Sequence, residues 1–521
     1  MTAVAVVPTP ATWSYILIRL LFKFVLKIFF GSIVVENSHL IPQDGHPIIV
    51  TANHSNSLTD AVMLVACVPR NRRTMLRLTA KATQFGRGTF TSWLIESAGT
   101  LPLMRLKDYT DKATVNNSAV MDVLKEALER GDAVCMFPEG FSRFHPTVAP
   151  MKTGVARLVS EVLSRQRDNP DFKISIQPVS MTYMHRQHFR SDVLVSFHAP
   201  ITFSPQDNPE LLEPVDFDNI RAVTSTLSDI IRSGTLDSPS WDYVRTAKLT
   251  ARLYAPLGTH MSLGEYVRVT QRFLEAFKAN TALDGHLEDL MKELKEYQDE
   301  LVRYGIKDDR VRRQLPRRII LRRMCLRLPW AVFLFSLSSA GMLLWLPVFA
   351  TTIIAVHKLV RTGPVFDTYD EIAQYKLVYG FLCYCVVWAG TIVVTFPIAP
   401  FTFFVTPALM WVSLRWFEDA VSAFRAFMAL ARLLRVGKGT LNELRAKRER
   451  LYARVMELAK ELELPDDPET YFATSGGREK GRIMGRWDSN ARYFSLNRRR
   501  KKDWNETLRL YESVDYPAED Y

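Results

Sequence analysis

Two stretches of the chain carry no charged side chain: Leu328 to Val356, roughly 29 positions, and Leu377 to Leu414, roughly 38. A helix rises about 1.5 Å per residue, so about 20 apolar residues cross the hydrocarbon of a bilayer. Buried core helices rarely run so far without a charge, and both stretches therefore read as membrane segments within a transmembrane region at 328–415. Pro347 and the series Pro397, Pro400 and Pro407 predict kinks or re-entrant pieces, and two or three crossings are expected. Trp13–Val35 is different in kind. Arg19, Lys23 and Lys27 recur every four residues along one helical face, with Ile16, Leu20, Phe24 and Ile28 around the rest. Residues 1–35 read as an interfacial amphipathic helix, since the core of a signal peptide would not tolerate Lys23 and Lys27.

The 521 residues exceed one ordinary core and require at least two folding units. Lys and Arg number 67 against 55 Asp and Glu, a net +12, which suits an anionic partner: a phosphate substrate, a lipid surface or nucleic acid. Beside two membrane blocks, an anionic lipid bilayer is the nearer partner, and nucleic acid is not expected. Five cysteines without a CxxC pair argue against a disulfide framework or a zinc site.

Residues 36–240 read as an α/β domain. Ile48–Ala52 and Ala133–Phe137 have the look of buried parallel strands, and Ile174–Tyr183 and Val193–Phe197 supply two more strand-like runs. Ser118–Arg130 reads as a helix ending at Gly131. Beyond this domain, at 241–327, Leu287, Leu290, Leu294, Tyr297 and Leu301 follow 3-4 spacing. Leu444, Leu451, Val455, Leu458 and Leu462 do so at 416–470, with Arg448 intruding on the seam. The tail, 471–521, reads as basic and disordered, with Arg498–Lys502 as its charged run.

Each of the two strand runs ends in a polar motif, where sites of open α/β sheets gather. After the first comes Asn53-His54-Ser55-Asn56-Ser57-Leu58-Thr59-Asp60. A His with a nearby carboxylate is the pair that removes a proton from a hydroxyl. Residues six apart lie about 240° apart on one helix, so the two meet only if His54 sits in a loop and Asp60 in the opening helical turn. After the second run comes Phe137-Pro138-Glu139-Gly140-Phe141-Ser142, a carboxylate and a hydroxyl able to bind substrate hydroxyls. Gly99–Arg105 offers one guanidinium for a phosphate, with a plain surface arginine as the alternative. Met151-Lys152-Thr153-Gly154 opens a helix where a lysine favours anions. His185 and His188 lack companions for a metal and read as solvated loop residues. The chain has neither a GxxxxGK[ST] loop nor a GxSxG elbow.

In this order and spacing the four blocks resemble the glycerolipid acyltransferase family over residues 36–200, and the five residues between His54 and Asp60 are similar to the fungal-type glycerol-3-phosphate and dihydroxyacetone-phosphate acyltransferases. The resemblance implies a mixed α/β sheet flanked by helices, followed by a transmembrane region and long amphipathic helices. It implies His54 as base and Asp60 as its orienter. Arg105 would be the phosphate ligand, Glu139, Gly140 and Ser142 the acceptor-binding turn with Lys152 as helper, and Pro178 would shape the acyl-donor side. The expected reaction moves an acyl chain from acyl-CoA to glycerol 3-phosphate or dihydroxyacetone phosphate, with no cofactor and no metal, at the endoplasmic reticulum membrane. A lysophosphatidate acyltransferase and an inactive membrane scaffold are the rival readings. Arginines before the first apolar block and after the second place both flanks, with the catalytic domain, in the cytosol. Two crossings would leave His357–Lys376 as a lumenal loop, and the two heptad helices are expected to pair antiparallel.

Overall fold

A computed structural model of the chain describes residues 11–104, 117–255, 259, 261–279, 285–312 and 315–474. Arg105 and the basic tail beyond residue 474 lie outside the described residues. The organising element is a sheet of strands β1 (Ser32–Glu36), β2 (Ile48–Ala52), β3 (Arg77–Lys81), β4 (Leu101–Leu103), β5 (Ala133–Met136), β6 (Ile174–Tyr183), β7 (Asp192–Phe197) and β8 (Ile201–Phe203). Their spatial order is β1-β7-β6-β2-β5-β3-β4, with β8 also on β6. β2 lies parallel to both β5 and β6, while β7 and β8 run antiparallel to β6. The sheet is thus mixed. β2, β5 and β6 are buried at every position, which is why they read as unbroken apolar runs rather than as alternating ones.

Helices α1 (Trp13–Phe29), α2 (Leu58–Cys67), α3 (Phe90–Ser97), α4 (Ser118–Glu129), α5 (Gly154–Arg165) and α6 (Phe217–Ser233) accompany the sheet. On one face Leu128, Val159, Val162 and Ile231 close a core with Ile49 and Val134 of the strands. α4 ends as its sequence directs, with Gly131 at φ 74° beyond its last turn. α1 is shorter than the expected 1–35 segment. It stops at Phe29, where the Arg190 guanidinium takes up the terminal carbonyls of Lys27, Ile28 and Phe30 at 3.0–3.2 Å. β-branched Ile33, Val34 and Val35 then enter β1 and pair with β7. Trp13, Leu17, Leu20 and Phe24 stay exposed at 4-3-4 spacing along α1. Arg19, expected on the solvated polar face, donates instead to the Val68 carbonyl.

The chain divides into two compact units. The first is this sheet domain, up to Asp237, together with Phe366–Gln374; the second takes Ser238–Val365 and the chain from Tyr375. The second unit is helical: α7 (Trp241–Tyr254), α8 (Leu263–Ala279), α9 (Gly285–Tyr304), α10 (Asp308–Arg312), α11 (Arg317–Val360), α13 (Ile372–Val394, from Tyr375 on), α14 (Ala399–Val436), α15 (Lys438–Glu461) and α16 (Pro468–Thr474), while the short α12 (Val365–Thr368) falls, beyond its first residue, in the sheet unit. α9 and α15 pack antiparallel: Lys447 pairs with Glu300 at 2.9 Å, and Arg454, two turns on, pairs with Glu293 at 3.1 Å, two turns back. Their heptad residues Leu294, Tyr297, Leu451 and Val455 are fully buried. Arg448 is tolerated on the seam because Asp308 of α10 meets it at 2.8 Å, and Tyr297 donates to the same carboxylate oxygen.

Among the described residues three helices are long and apolar enough to cross a membrane: Arg317–Val360, Ile372–Val394 and Phe396–Val436. The second charge-free run is therefore two helices, separated at Thr395–Ile398 where Pro397 interrupts the backbone ladder. α11 and α14 run antiparallel and close together. Trp345 Nε1 donates to the Met410 carbonyl at 2.8 Å, and a side chain at Gly341 would strike the Ser413 hydroxyl.

The segment between the first two apolar helices departs from expectation. Phe366–Gln374 belongs to the sheet unit: the Phe144 amide donates to the Phe366 carbonyl at 3.0 Å, and the Ser57 hydroxyl to Gln374 at 2.9 Å. It cannot lie across a bilayer from His54. Mixed charge made it look like an ordinary connecting loop, and only the tertiary contacts show otherwise. In a background with Cys325, Cys383 and Cys385 replaced by Ser, Asp367→Cys and Glu210→Cys should both react with an impermeant thiol reagent from the same face of sealed vesicles. Protection of position 367 until lysis, with position 210 reactive, would contradict the arrangement.

Candidate active site

β2 and β5 pair in register, Ile48 with Ala133 and Thr51 with Met136. Parallel strands in register end together, so the residues leaving β2, Asn53 and His54, emerge beside those leaving β5, Phe137 to Glu139. β6 is parallel to β2 as well but runs four residues past Val179, the partner of Ala52. Its overhang brings Tyr183 to the first turn of α2. Asn53 ties the two strands at this point, accepting from the Met181 amide at 2.7 Å and donating to the Met181 carbonyl at 2.9 Å.

His54 stands in the loop and Asp60 in the opening turn of α2, as a six-residue spacing requires. Nδ1 of His54 lies 3.0 Å from Asp60 Oδ2. Asp60 is fully buried, and its charge is held by other donors: the Ser55 and Asn56 amides to Oδ2 at 2.8 and 2.7 Å, and the Tyr183 hydroxyl to Oδ1 at 2.6 Å. A buried carboxylate so supplied has its oxygens satisfied without water. It accepts the Nδ1 proton, which leaves the lone pair on Nε2, and among the described residues no hydrogen bond occupies that nitrogen. Phe137 stacks on the imidazole at 4.2 Å and 18°, fixing the ring plane. The pair is thus oriented from three sides, with one basic nitrogen available.

Glu139 is 3% exposed, with Oε1 accepting from the His54 amide at 2.6 Å and Oε2 from the Ala149 amide at 3.1 Å. Burial pushes its carboxyl up, against the pull of those donors. Its oxygens thus hold the loops on either side of the site. Gly140 has φ 76°, and a Cβ there would come within 2.5 Å of Lys152 Nζ. The glycine serves two needs at once, a left-handed turn and room for the ammonium group above it. The Ser142 hydroxyl accepts from the Ser57 amide at 3.0 Å and donates to Asp370. Pro178 lies inside β6 beside Thr51, within the sheet. His185 is buried and meets His188 edge to face at 5.7 Å, rather than being solvated. Arg186 reaches the Ser55, Arg143 and His145 carbonyls at 3.4 Å from the same end of the sheet.

Sequence reasoning found His54, Asp60, Glu139, Gly140, Ser142 and Lys152 in one place. It missed Asn53, Phe137 and Tyr183 as working members, although the first two flank or sit inside the motifs. It also missed Asp370 and Gln374, for which no local signal exists. Tyr183→Phe should leave Asp60 Oδ1 buried without its donor and destabilise the sheet unit by about 1–3 kcal/mol, read by thermal unfolding of the purified protein. An unchanged unfolding temperature would remove Tyr183 from the network.

Comparison with known proteins bears on this geometry. Residues 32–182 match the acyltransferase family, and residues 246–363 match the glycerol-3-phosphate acyltransferase 2 C-terminal domain. An uncharacterized acyltransferase of Schizosaccharomyces pombe is 25% identical over 374 residues, 67% of this chain and 54% of that protein. Glycerol-3-phosphate O-acyltransferases 1 and 2 of Saccharomyces cerevisiae are 26% and 24% identical over 52% and 49% of this chain. The chain spans 36% and 34% of the lengths of those two yeast proteins, and about half of the first relative. The domain that matches the acyltransferase family is the one that holds the His54–Asp60 pair, and residues 246–363, which follow it in the chain, match the C-terminal domain of glycerol-3-phosphate acyltransferase 2.

Proposed function

We propose that the protein transfers an acyl chain from acyl-CoA to a hydroxyl of glycerol 3-phosphate or dihydroxyacetone phosphate. The observation that carries this reading is the His54–Asp60 pair with Nε2 unoccupied, set within 2.6 Å of the Glu139 turn in a domain of the acyltransferase family. The names of the two yeast relatives support the choice of acceptor. Nε2 takes the proton of the acceptor hydroxyl as its oxygen attacks the thioester carbonyl carbon. The tetrahedral intermediate collapses with loss of the CoA thiolate, which recovers the proton from the imidazolium. An ester and a free thiol leave, and His54 returns to its starting state. Asp60 stabilises the transient imidazolium and holds the ring. The Lys152 ammonium over Gly140, with Arg105 of the third motif, supplies positive charge for the acceptor phosphate. The chain works at a membrane through its three apolar helices and the exposed stripe on α1. The net charge of +12 suits anionic lipids. On this reading the membrane is the endoplasmic reticulum, with the sheet unit facing the cytosol.

His54→Ala in purified protein should lower turnover by at least about a hundredfold, the smallest effect expected of a lost general base, while the unfolding temperature holds. Retention of a tenth of the rate would exclude His54 as the base. Labelled acyl-CoA offered with glycerol 3-phosphate, dihydroxyacetone phosphate and lysophosphatidate tests the acceptor, and preference for lysophosphatidate would overturn the assignment. Arg105→Lys keeps the charge but loses the planar fork, so the KM for the glycerol phosphate should rise several-fold more than that for acyl-CoA. Equal changes would rule out a phosphate role.

A further inference from the structure

Ser57 joins the His54 loop to the helix that carries Asp60. Its φ is 46°, a strained value for a residue other than glycine, which persists only where the surroundings impose it. Ser57 precedes α2 in the N-cap position but makes no side-chain cap. The cap comes from elsewhere. Gln374 Oε1 accepts from the Ser57 hydroxyl at 2.9 Å and from the amide of Leu58, the first residue of α2, at 3.2 Å. The Ser57 amide donates to the Ser142 hydroxyl at 3.0 Å, and that hydroxyl donates in turn to Asp370, which is 4% exposed. Burial pushes the Asp370 carboxyl up to about 6, and the Ser142 hydroxyl is its donor. Gln374 and Asp370 both come from Phe366–Gln374, more than 220 residues along the chain from the loops they bind.

We propose that Asp370 and Gln374 are positioning residues for acyl transfer: a latch, donated by the residues just before the second apolar helix and by that helix's first turn, that holds Ser57 in its strained conformation and so keeps Asp60 against His54. The inference rests on the acyl-transfer reading for its kinetic consequences, but not for its structural ones. Without the acceptor at position 374, the Leu58 amide and the Ser57 hydroxyl lose their partner. Ser57 then relaxes toward negative φ, the opening turn of α2 unwinds, and Asp60 leaves Nδ1. A misplacement of about 1 Å in a catalytic array costs on the order of a hundredfold in rate. Neither residue needs to touch substrate, so binding is spared. The segment is continuous on both sides with helices of bilayer length, so the site is assembled only when that region of the chain is in place.

The test uses the full chain in detergent or lipid nanodiscs, with Gln374→Met, Gln374→Glu and Ser57→Ala. Gln374→Met should lower kcat by about a hundredfold with the KM of both substrates within about twofold, and amide hydrogen exchange should accelerate in peptides covering residues 53–60. Gln374→Glu keeps an acceptor oxygen at a helix N-terminus and should recover most of the lost rate and the protection. Ser57→Ala removes one of the two bonds and should give the same pattern at about fivefold, which keeps the test available if Gln374→Met does not fold. Unchanged exchange in Gln374→Met, equal impairment of the Met and Glu variants, a loss confined to KM, or a gain in activity would each overturn the latch. If the wild-type protein transfers no acyl group to any acceptor, the functional reading fails, and the exchange data alone still decide whether the latch exists.

Discussion

Parallel, in-register pairing of Ile48–Ala52 with Ala133–Met136 is the constraint on which the site depends. The pairing makes two strands finish at one level, and both polar motifs begin there. Hydrogen bonds in a parallel ladder are evenly spaced, so a slip of one residue would turn every side chain to the opposite face. Ile49 and Val134 would leave the core that Leu128, Val159 and Val162 close. Core packing and site geometry are therefore fixed by the same register, and a change that loosens one disturbs the other.

The second requirement is a buried carboxylate that finds its hydrogen bonds inside the protein. Asp60 is fully buried, and polar oxygens in that position have no water to accept from. Four donors meet the need: two amides of the loop, the His54 ring and the Tyr183 hydroxyl on the overhang of β6. Glu139, in the loop that leaves the neighbouring strand, has a comparable role, its two oxygens accepting from the amides of His54 and Ala149. Near-complete burial lets Glu139 join the two loops, so that His54 stands between two carboxylates that organise it through different atoms.

The helical unit solves a similar problem with fewer groups. Arg448 would be destabilising on the α9–α15 seam if unpaired, and Asp308 with Tyr297 offsets it by an ion pair and a hydrogen bond in the same buried spot. Replacing such a pair with apolar residues is often neutral for stability, so its use here lies in specifying which helices meet and in which direction. Along α11 and α14 small residues and an indole do the joining. Gly341 against Ser413 lets the backbones approach, and the Trp345 indole finds a carbonyl on the facing helix.

Much of this was legible without coordinates. Apolar runs bounded by polar motifs marked β2 and β5, because strands buried on both faces leave a continuous signature. The spacing of His54 and Asp60 already required a loop and a helical turn, and charge-free length announced the apolar helices. Heptads pointed to the α9–α15 pair, with two separate amphipathic helices as the alternative, because an apolar seam must be buried against something. What the sequence could not show depends on distance along the chain. The reach of β6 past its neighbours is set by the register of three strands together, so Tyr183 carries no local mark. Nothing around Asp370 or Gln374 resembles a catalytic motif, because a cap is a single acceptor oxygen and many side chains supply one. Only the folded chain decides that the acceptor for the Ser57 hydroxyl and the Leu58 amide arrives from the first turn of an apolar helix. Hydrogen-bond donors accept whichever partner tertiary packing delivers, and local propensity has no term for that choice.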